Sequence, residues 1–174
     1  MSRISTPDAE VREVTELYVL RHAHAGDPSG WTGDDDDRPL SDKGERQAER
    51  LGRFLERIGF VPDAIISSPK TRAAQTAEIL AAQLGVEYSL DPRLAGEVEV
   101  ATVDDILRDA RDPARLVIVG HDPDFSDLVG QLSGANGITM RKGSMARIDV
   151  VRPLAAGRAA FRWLLPPDLL KPDH

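Results

Sequence analysis

Apolar residues in this chain recur in two patterns, and each predicts its own element. Short continuous runs end the stretches Leu17–Leu20, Pro62–Ile66 and Leu116–Val119. Runs of this kind, rich in Val and Ile and closed by polar or turn residues, fit strands covered on both faces, as in a parallel sheet. Other stretches place apolar residues at helical spacing. Ala48, Leu51, Leu55 and Ile58, widened by Phe54, predict a helix capped by Ser41, with Glu45 near its first turn and Gly59 at its end. Ala73, Ala77, Leu80, Ala81 and Leu84 predict a second, with Ser68 as cap, Pro69 at its first position and Gly85 at its end. Thr102 is the expected cap of a third helix that runs through Ala110. Asp122 to Leu132 reads as a fourth, followed by a turn at Ser133–Gly137.

The remaining segments complete the order. Val86–Leu90 reads as a short strand and Asp91–Val100 as irregular. Ser144–Val151 and Ala159–Leu164 read as a hairpin around Pro153–Gly157. Strands alternating with helices predict a three-layer α/β/α fold with a mostly parallel open sheet and an antiparallel C-terminal hairpin. The expected organisation is a loose extension over 1–16, a single domain over 17–165 and a tail over 166–174.

Composition narrows the function more than the fold. A chain of 174 residues supports one core rather than two. Its net charge of -7 argues against nucleic acid or an anionic membrane surface as partner, and any anion site must be a local cluster. With no cysteine, thiolate ligands and cysteine nucleophiles are excluded. No stretch approaches the roughly 20 apolar residues of a membrane span, and the first residues lack an apolar signal core, so the expected location is the cytoplasm. The acidic run Asp34–Asp37 lacks the spaced ligands, central Gly and terminal Glu of a calcium loop, and reads as a solvated loop.

The candidate chemistry sits at the strand ends. The first strand stops at Arg21-His22, the second leads to Arg72, and the third leads through Gly120 to His121. In open α/β sheets ligands bind at the carboxyl ends of strands. Arg21 and Arg72 carry planar forks suited to a phosphoryl group. Arg72, in the first turn of a helix, adds the helix dipole and free backbone N–H groups. His22, beside these cations, is disfavoured as imidazolium and is a nucleophile when neutral. His121 is placed to donate to phosphoryl oxygens. Each residue has a bland reading alone: an ion-paired arginine, a hydrogen-bonded histidine, a turn residue. Their convergence on one edge of the sheet is the stronger signal.

Four stretches resemble a known family: Leu-Arg-His-Ala-His-Ala, Arg-Pro-Leu-Ser-Asp-Lys-Gly, Ser-Ser-Pro-Lys-Thr-Arg-Ala-Ala-Gln-Thr-Ala and Val-Gly-His-Asp-Pro. Together they are similar to the histidine phosphatase superfamily, with its phosphoglycerate mutase-like fold, and to its small phosphohistidine phosphatase branch. The resemblance spans Leu17 to about Val151. It implies that His22 is phosphorylated during turnover, that Arg21 and Arg72 hold the phosphoryl group, that His121 completes the pocket, and that no metal or other cofactor is needed. It implies a phosphorylated protein or a small phosphate ester as partner. Ala23 stands where many members carry Gly. No stretch matches the acidic segment that supplies a proton donor in mutase-like members; Glu97, Glu99 and Asp27 are candidates by position only.

Two other readings compete. His22, His24 and His121 with an Asp would suit a metal-dependent hydrolase, although Arg21 beside a metal ligand is unfavourable. A phosphate- or phosphoprotein-binding domain without turnover is the second.

Overall fold

The computed structural model describes residues 13–172. Its main elements are β1 (Thr15–Arg21), α1 (Asp42–Arg57), β2 (Ala64–Ser67), α2 (Thr71–Leu84), β3 (Tyr88–Leu90), α3 (Val100–Asp109), β4 (Arg115–Gly120), α4 (Asp124–Ser133), β5 (Met145–Val150) and β6 (Ala160–Leu165). The expected extension Met1–Glu16 lies outside the described residues up to residue 12, and its last two residues already belong to β1.

The strands form one six-stranded sheet in the order β3-β2-β4-β1-β5-β6. The first four are mutually parallel, and β5 and β6 run antiparallel. The continuous apolar runs at β1 and β4 follow from burial on both faces. Leu17 and Val19 of β1 face one layer with α3 and α4, through Ile106, Leu107, Phe125 and Leu128. Tyr18 and Leu20 face the other with α1 and α2, through Leu51, Leu55, Ala77 and Leu80. The alternation of neighbouring residues along each strand thus assigns them to opposite layers.

This topology makes a crevice. β1 and β4 are parallel neighbours, with Arg21 opposite Gly120. The chain leaves β1 toward α1 on one face and leaves β4 toward α4 on the other. The two strands therefore part above their carboxyl ends, which is where open α/β sheets bind ligands.

Several boundaries differ from the sequence expectation. Ser41 does cap α1, accepting from the Gly44 N–H. Gly44 is needed there, because a Cβ would lie 1.9 Å from the His24 carbonyl oxygen. α2 starts at Thr71 rather than Pro69, and Lys70 is its cap without a side-chain bond. The Ser68 hydroxyl accepts from the Lys70 N–H at 3.2 Å and also lies 2.7 Å from His121 Nε2. α3 begins earlier than expected: Glu99 is its cap and Thr102 its third residue, the two closing a reciprocal capping box. Asp122 precedes α4, and its carboxylate accepts from the Ser126 N–H and hydroxyl. Beyond β6, Pro167–Leu170 forms a 3-10 turn that rests against α1.

Candidate active site

The edge where β1, β4 and β2 end collects the predicted side chains. The β1–β4 ladder continues one step past the strands, with the His22 N–H donating to the Gly120 carbonyl at 2.9 Å. This places His22 beside His121, and their ring centroids lie 5.3 Å apart. His22 is 5 % exposed. Its Nδ1 lies 2.8 Å from the Ala23 carbonyl oxygen. A carbonyl only accepts, so this contact fixes Nδ1 as the protonated nitrogen and leaves Nε2 with a lone pair. Burial is the main cause that pushes the His22 pKa down to about 3, assisted by the charges of His121, Arg72 and Arg21. The ring is a neutral imidazole at neutral pH.

The two arginines are held alike. Arg21 donates from Nη1 to the Met140 carbonyl at 2.7 Å, and the same nitrogen lies 3.4 Å from the Asp122 carboxylate. Arg72 donates from Nη1 to the Asp35 carbonyl at 2.7 Å, with its Nη2 3.3 Å from the Asp35 carboxylate. In both, Nε is buried and has no protein partner. His121 completes this set. Its Nε2 lies 2.7 Å from the Ser68 hydroxyl, while its Nδ1 is buried without a partner. Burial first, then Arg72 and Lys70, lower the His121 pKa to about 4. Unpartnered buried polar atoms are rare and costly in folded proteins. Here Arg21, Arg72 and His121 each carry one.

The remaining candidates are not part of this cluster. His24 does not share the His22 face: its Nδ1 lies 2.6 Å from the Ser41 hydroxyl and its N–H donates to Gln47. The metal-ligand set of the competing reading is therefore not assembled, and no three His, Cys, Asp or Glu side chains group as ligands among the described residues. Asp27 is fully exposed and caps a 3-10 turn, where bonds from Ser29 hold its carboxyl below the usual carboxylate range. Glu97 is exposed between Leu94 and α3, and Glu99 is spent on capping α3.

Some residues of the site escaped sequence reasoning. Asp122, Ser126 and Met140 close a ring around Arg21: the Ser126 hydroxyl donates to Asp122 and accepts from the Met140 N–H. Thr76 ties α2 to the turn after His22, its hydroxyl accepting from the Ala23 N–H at 3.1 Å. The acidic run, expected to be solvated, is exposed yet engaged, with Asp35 on Arg38 and Arg72 and Asp36 on Lys70. Asp122 and Ser68 adjoin the motif residues His121 and Arg72 in the quoted stretches, which was the available signal. Met140 acts through its main chain and leaves none.

Comparison with known proteins bears on the family and the fold. Residues 17–124 match the model of the histidine phosphatase superfamily, branch 1. An uncharacterised protein of Picosynechococcus is 39 % identical over 117 residues, covering 64 % of this chain and 69 % of its own length. A probable phosphoglycerate mutase of Escherichia fergusonii is 30 % identical over 114 residues, covering 60 % of this chain and 50 % of that protein. Among solved structures, the protein histidine phosphatase SixA complexed with tungstate superposes with a TM-score of 0.78 at 22 % identity, covering 90 % of this chain and 100 % of that one. A putative phosphohistidine phosphatase SixA from Agrobacterium tumefaciens gives 0.72 at 20 % identity, over 88 % of this chain and 99 % of that one. These likenesses establish the phosphoglycerate mutase-like fold, and the family match establishes membership: the chain belongs to the histidine phosphatase superfamily, branch 1, and is an enzyme of the phosphatase class.

Proposed function

We propose that this enzyme is a metal-independent phosphatase that works through a phosphohistidine on His22 and acts on phosphohistidine in cytoplasmic proteins. The observation that carries the reading is the set of buried, unpartnered nitrogens on Arg21, Arg72 and His121 beside a neutral His22. A phosphoryl group lodged there has donors for its oxygens and a nucleophile at its phosphorus.

In the first step the His22 Nε2 lone pair forms a bond to phosphorus and the bond from phosphorus to the leaving group breaks. Negative charge on the phosphoryl oxygens is met by Arg21 Nε, Arg72 Nε and His121. The Nδ1–H bond to the Ala23 carbonyl holds the ring in the reactive tautomer and stabilises the positive charge that the ring takes on. In the second step water attacks phosphorus, the N–P bond of His22 breaks, and inorganic phosphate leaves.

Phosphohistidine is favoured as substrate by what surrounds His22. The carboxylates at the site, Asp122 and Asp35, are engaged with Arg21 and Arg72, and the candidate donors Glu97 and Asp27 are exposed outside the cluster. An alkyl phosphate must expel an alkoxide, whose conjugate acid is about as weak as water at ~15.7. That step gains about 10²–10⁴ from a general acid. Phosphohistidine leaves as an imidazole, whose conjugate acid has a pKa of about 6.5. The exposed, ionised Asp27 is a poor proton donor. A small-molecule phosphomonoesterase of the same fold is the second reading, favoured by the similarity to a probable phosphoglycerate mutase.

The test compares kcat/KM on a phosphohistidine protein with that on a small alkyl phosphate, with Glu97→Gln and Asp27→Asn as controls. The phosphohistidine protein is expected to win and both controls to keep its turnover. A better rate on the alkyl phosphate, with one of those carboxylates essential, would establish the second reading instead.

A further inference from the structure

One cation beside the site has no ion-pair partner among the described residues. Lys142 lies in the turn between Met140, whose carbonyl anchors Arg21, and Gly143. The Gly143 N–H is shared by the carbonyls of Arg21 at 3.1 Å and His22 at 2.9 Å. Gly143 adopts φ +81, and a Cβ there would meet the Gln47 carboxamide oxygen at 3.3 Å. The backbone on both sides of Lys142 is thus tied to the end of β1, and the position of its Cα beside the site is fixed.

Its ammonium is the exception among the cations gathered here. Arg21 has Asp122, Arg38 and Arg72 share Asp35, and Lys70 has Asp36. Lys142 is half-buried, and among the described residues it has no ion pair or hydrogen-bond partner. Burial, then the charges of Arg21, Arg38 and Arg72, lower its pKa, while Asp27 opposes the shift. A flexible lysine gains nothing by staying among guanidinium groups unless an anion joins it there.

Its place in the site says which part of a substrate it meets. The charges that act on His22 and His121 come from Arg21, Arg72, Lys70, Asp36 and the paired imidazole. Lys142 in turn bears on His24 and Asp27, and the charges of Arg21, Arg38 and Arg72 bear on it. Its backbone, tied at Gly143 to the carbonyls of Arg21 and His22, stands next to the phosphoryl pocket.

Resting on the phosphatase reading above, the geometry points to Lys142 as a specificity-determining residue that receives a second anionic group of the substrate, a carboxylate, at the pocket mouth. A single hydrated ammonium on a flexible stem suits a monoanion of variable position, whereas a second phosphoryl group would call for planar forks. The carboxylate has two sources: an acidic side chain flanking a phosphorylated residue, or the carboxylate of a small phosphorylated acid.

Binding of two non-hydrolysable probes, methylphosphonate and phosphonoacetate, separates this inference from catalysis. They differ by one carboxylate and are compared by calorimetry at a pH where both phosphonates are fully ionised. The wild type should prefer phosphonoacetate by roughly three- to thirtyfold, the range between an exposed and a half-buried charge-assisted contact. Lys142→Gln should erase that preference, Lys142→Arg should retain part of it, and added salt should shrink it in the wild type. Unchanged thermal melting would show that both variants fold. The source is read from Lys142-dependent kcat/KM gains in two pairs: phosphohistidine peptides with a flanking Glu or Gln, and phosphoglycolate against ethyl phosphate. Equal binding of the two phosphonates by the wild type, a preference that survives Lys142→Gln, or no Lys142-dependent gain in either pair overturns the inference. Failure to hydrolyse phenyl phosphate would count against the phosphatase reading and leave the binding comparison standing.

Discussion

Arg21 and Arg72 reach the same pocket by the same device on different foundations. Each gives Nη1 to a main-chain carbonyl, has a carboxylate beside its guanidinium, and leaves Nε buried without a partner. Around Arg21 the support is interior: Met140 is fully buried, and the Asp122 side chain is 14 % exposed and bonded to Ser126. Around Arg72 the support is a short 3-10 turn on the surface, and the Asp35 side chain is 55 % exposed. One donor is preorganised by the core, and the other is steered by a loop that solvent and salt can weaken. Phosphoryl transfer needs donors fixed before the charge develops. The comparison therefore predicts that disturbances on the Arg21 side act on folding and rate together, while those on the Arg72 side act mainly on rate and salt sensitivity.

The comparison presumes that both arginines serve a group attached to His22. His22→Ala is the harshest test and should reduce turnover by about 10⁴-fold or more, since a covalent route is lost rather than weakened. The wild type should yield a trapped phosphoenzyme that is stable in alkali and labile in acid. Substantial residual activity in the alanine protein would remove the shared target and the comparison with it.

Next in size are Arg21→Lys and Arg72→Lys. Lysine keeps the charge and loses the planar fork, so each should cost about 1.5–3 kcal/mol in kcat/KM, the scale of one charge-assisted hydrogen bond. The two should part in thermal melting. Arg21→Lys disturbs the ring with Asp122, Ser126 and Met140 and should lower Tm, whereas Arg72→Lys should leave it nearly unchanged. Wild-type kcat/KM in either variant would show that its arginine does not hold the phosphoryl group.

The carboxylates sharpen the contrast further. Asp122→Asn, beside a mostly buried arginine, should cost about 1–3 kcal/mol of stability. Asp35→Asn on the exposed turn should cost about 0–1 kcal/mol, and the salt dependence of kcat/KM should diminish with it. Denaturant unfolding of the two variants decides this; equal losses would erase the distinction between interior and surface support.

An effect on stability against pH, rather than on rate, follows from the imidazoles. Burial holds the pKa of His22 near 3 and that of His121 near 4, against an ordinary 6.5. Between pH 6.5 and those values the unfolded chain binds more protons than the folded one. Stability therefore rises with pH across that window and is lost as pH falls through it. Melting of the wild type and of His22→Asn between pH 4 and 7 should give a shallower slope in the variant, and parallel slopes would contradict the burial argument. The smallest effect expected is none: exhaustive chelation should leave kcat unchanged, and activity restored by a divalent ion would revive the metal-dependent reading.

The sequence by itself determined the layers and the convergence of the site. Continuous apolar runs at Leu17–Leu20 and Leu116–Val119 require strands covered on both faces, and the polar residues that stop those runs must then emerge at the sheet edge. Arg21, His22 and His121 were legible for that reason, and Arg72 through its place in the quoted Ser-Ser-Pro stretch. Local rules failed where a side chain had a stronger distant partner. Ser68 reads as a helix cap and accepts from the Lys70 N–H, but it also meets His121, and His24 follows His22 in the chain yet turns to Ser41. Only the tertiary structure could decide how the arginines are aimed. Their anchors are the carbonyls of Met140 and Asp35, which lie 119 and 37 residues away along the chain. Every residue has a main-chain carbonyl, so its identity carries no trace of such a contact. The same holds for Lys142, which reads as an ordinary surface lysine until the Gly143 turn fixes its backbone beside β1.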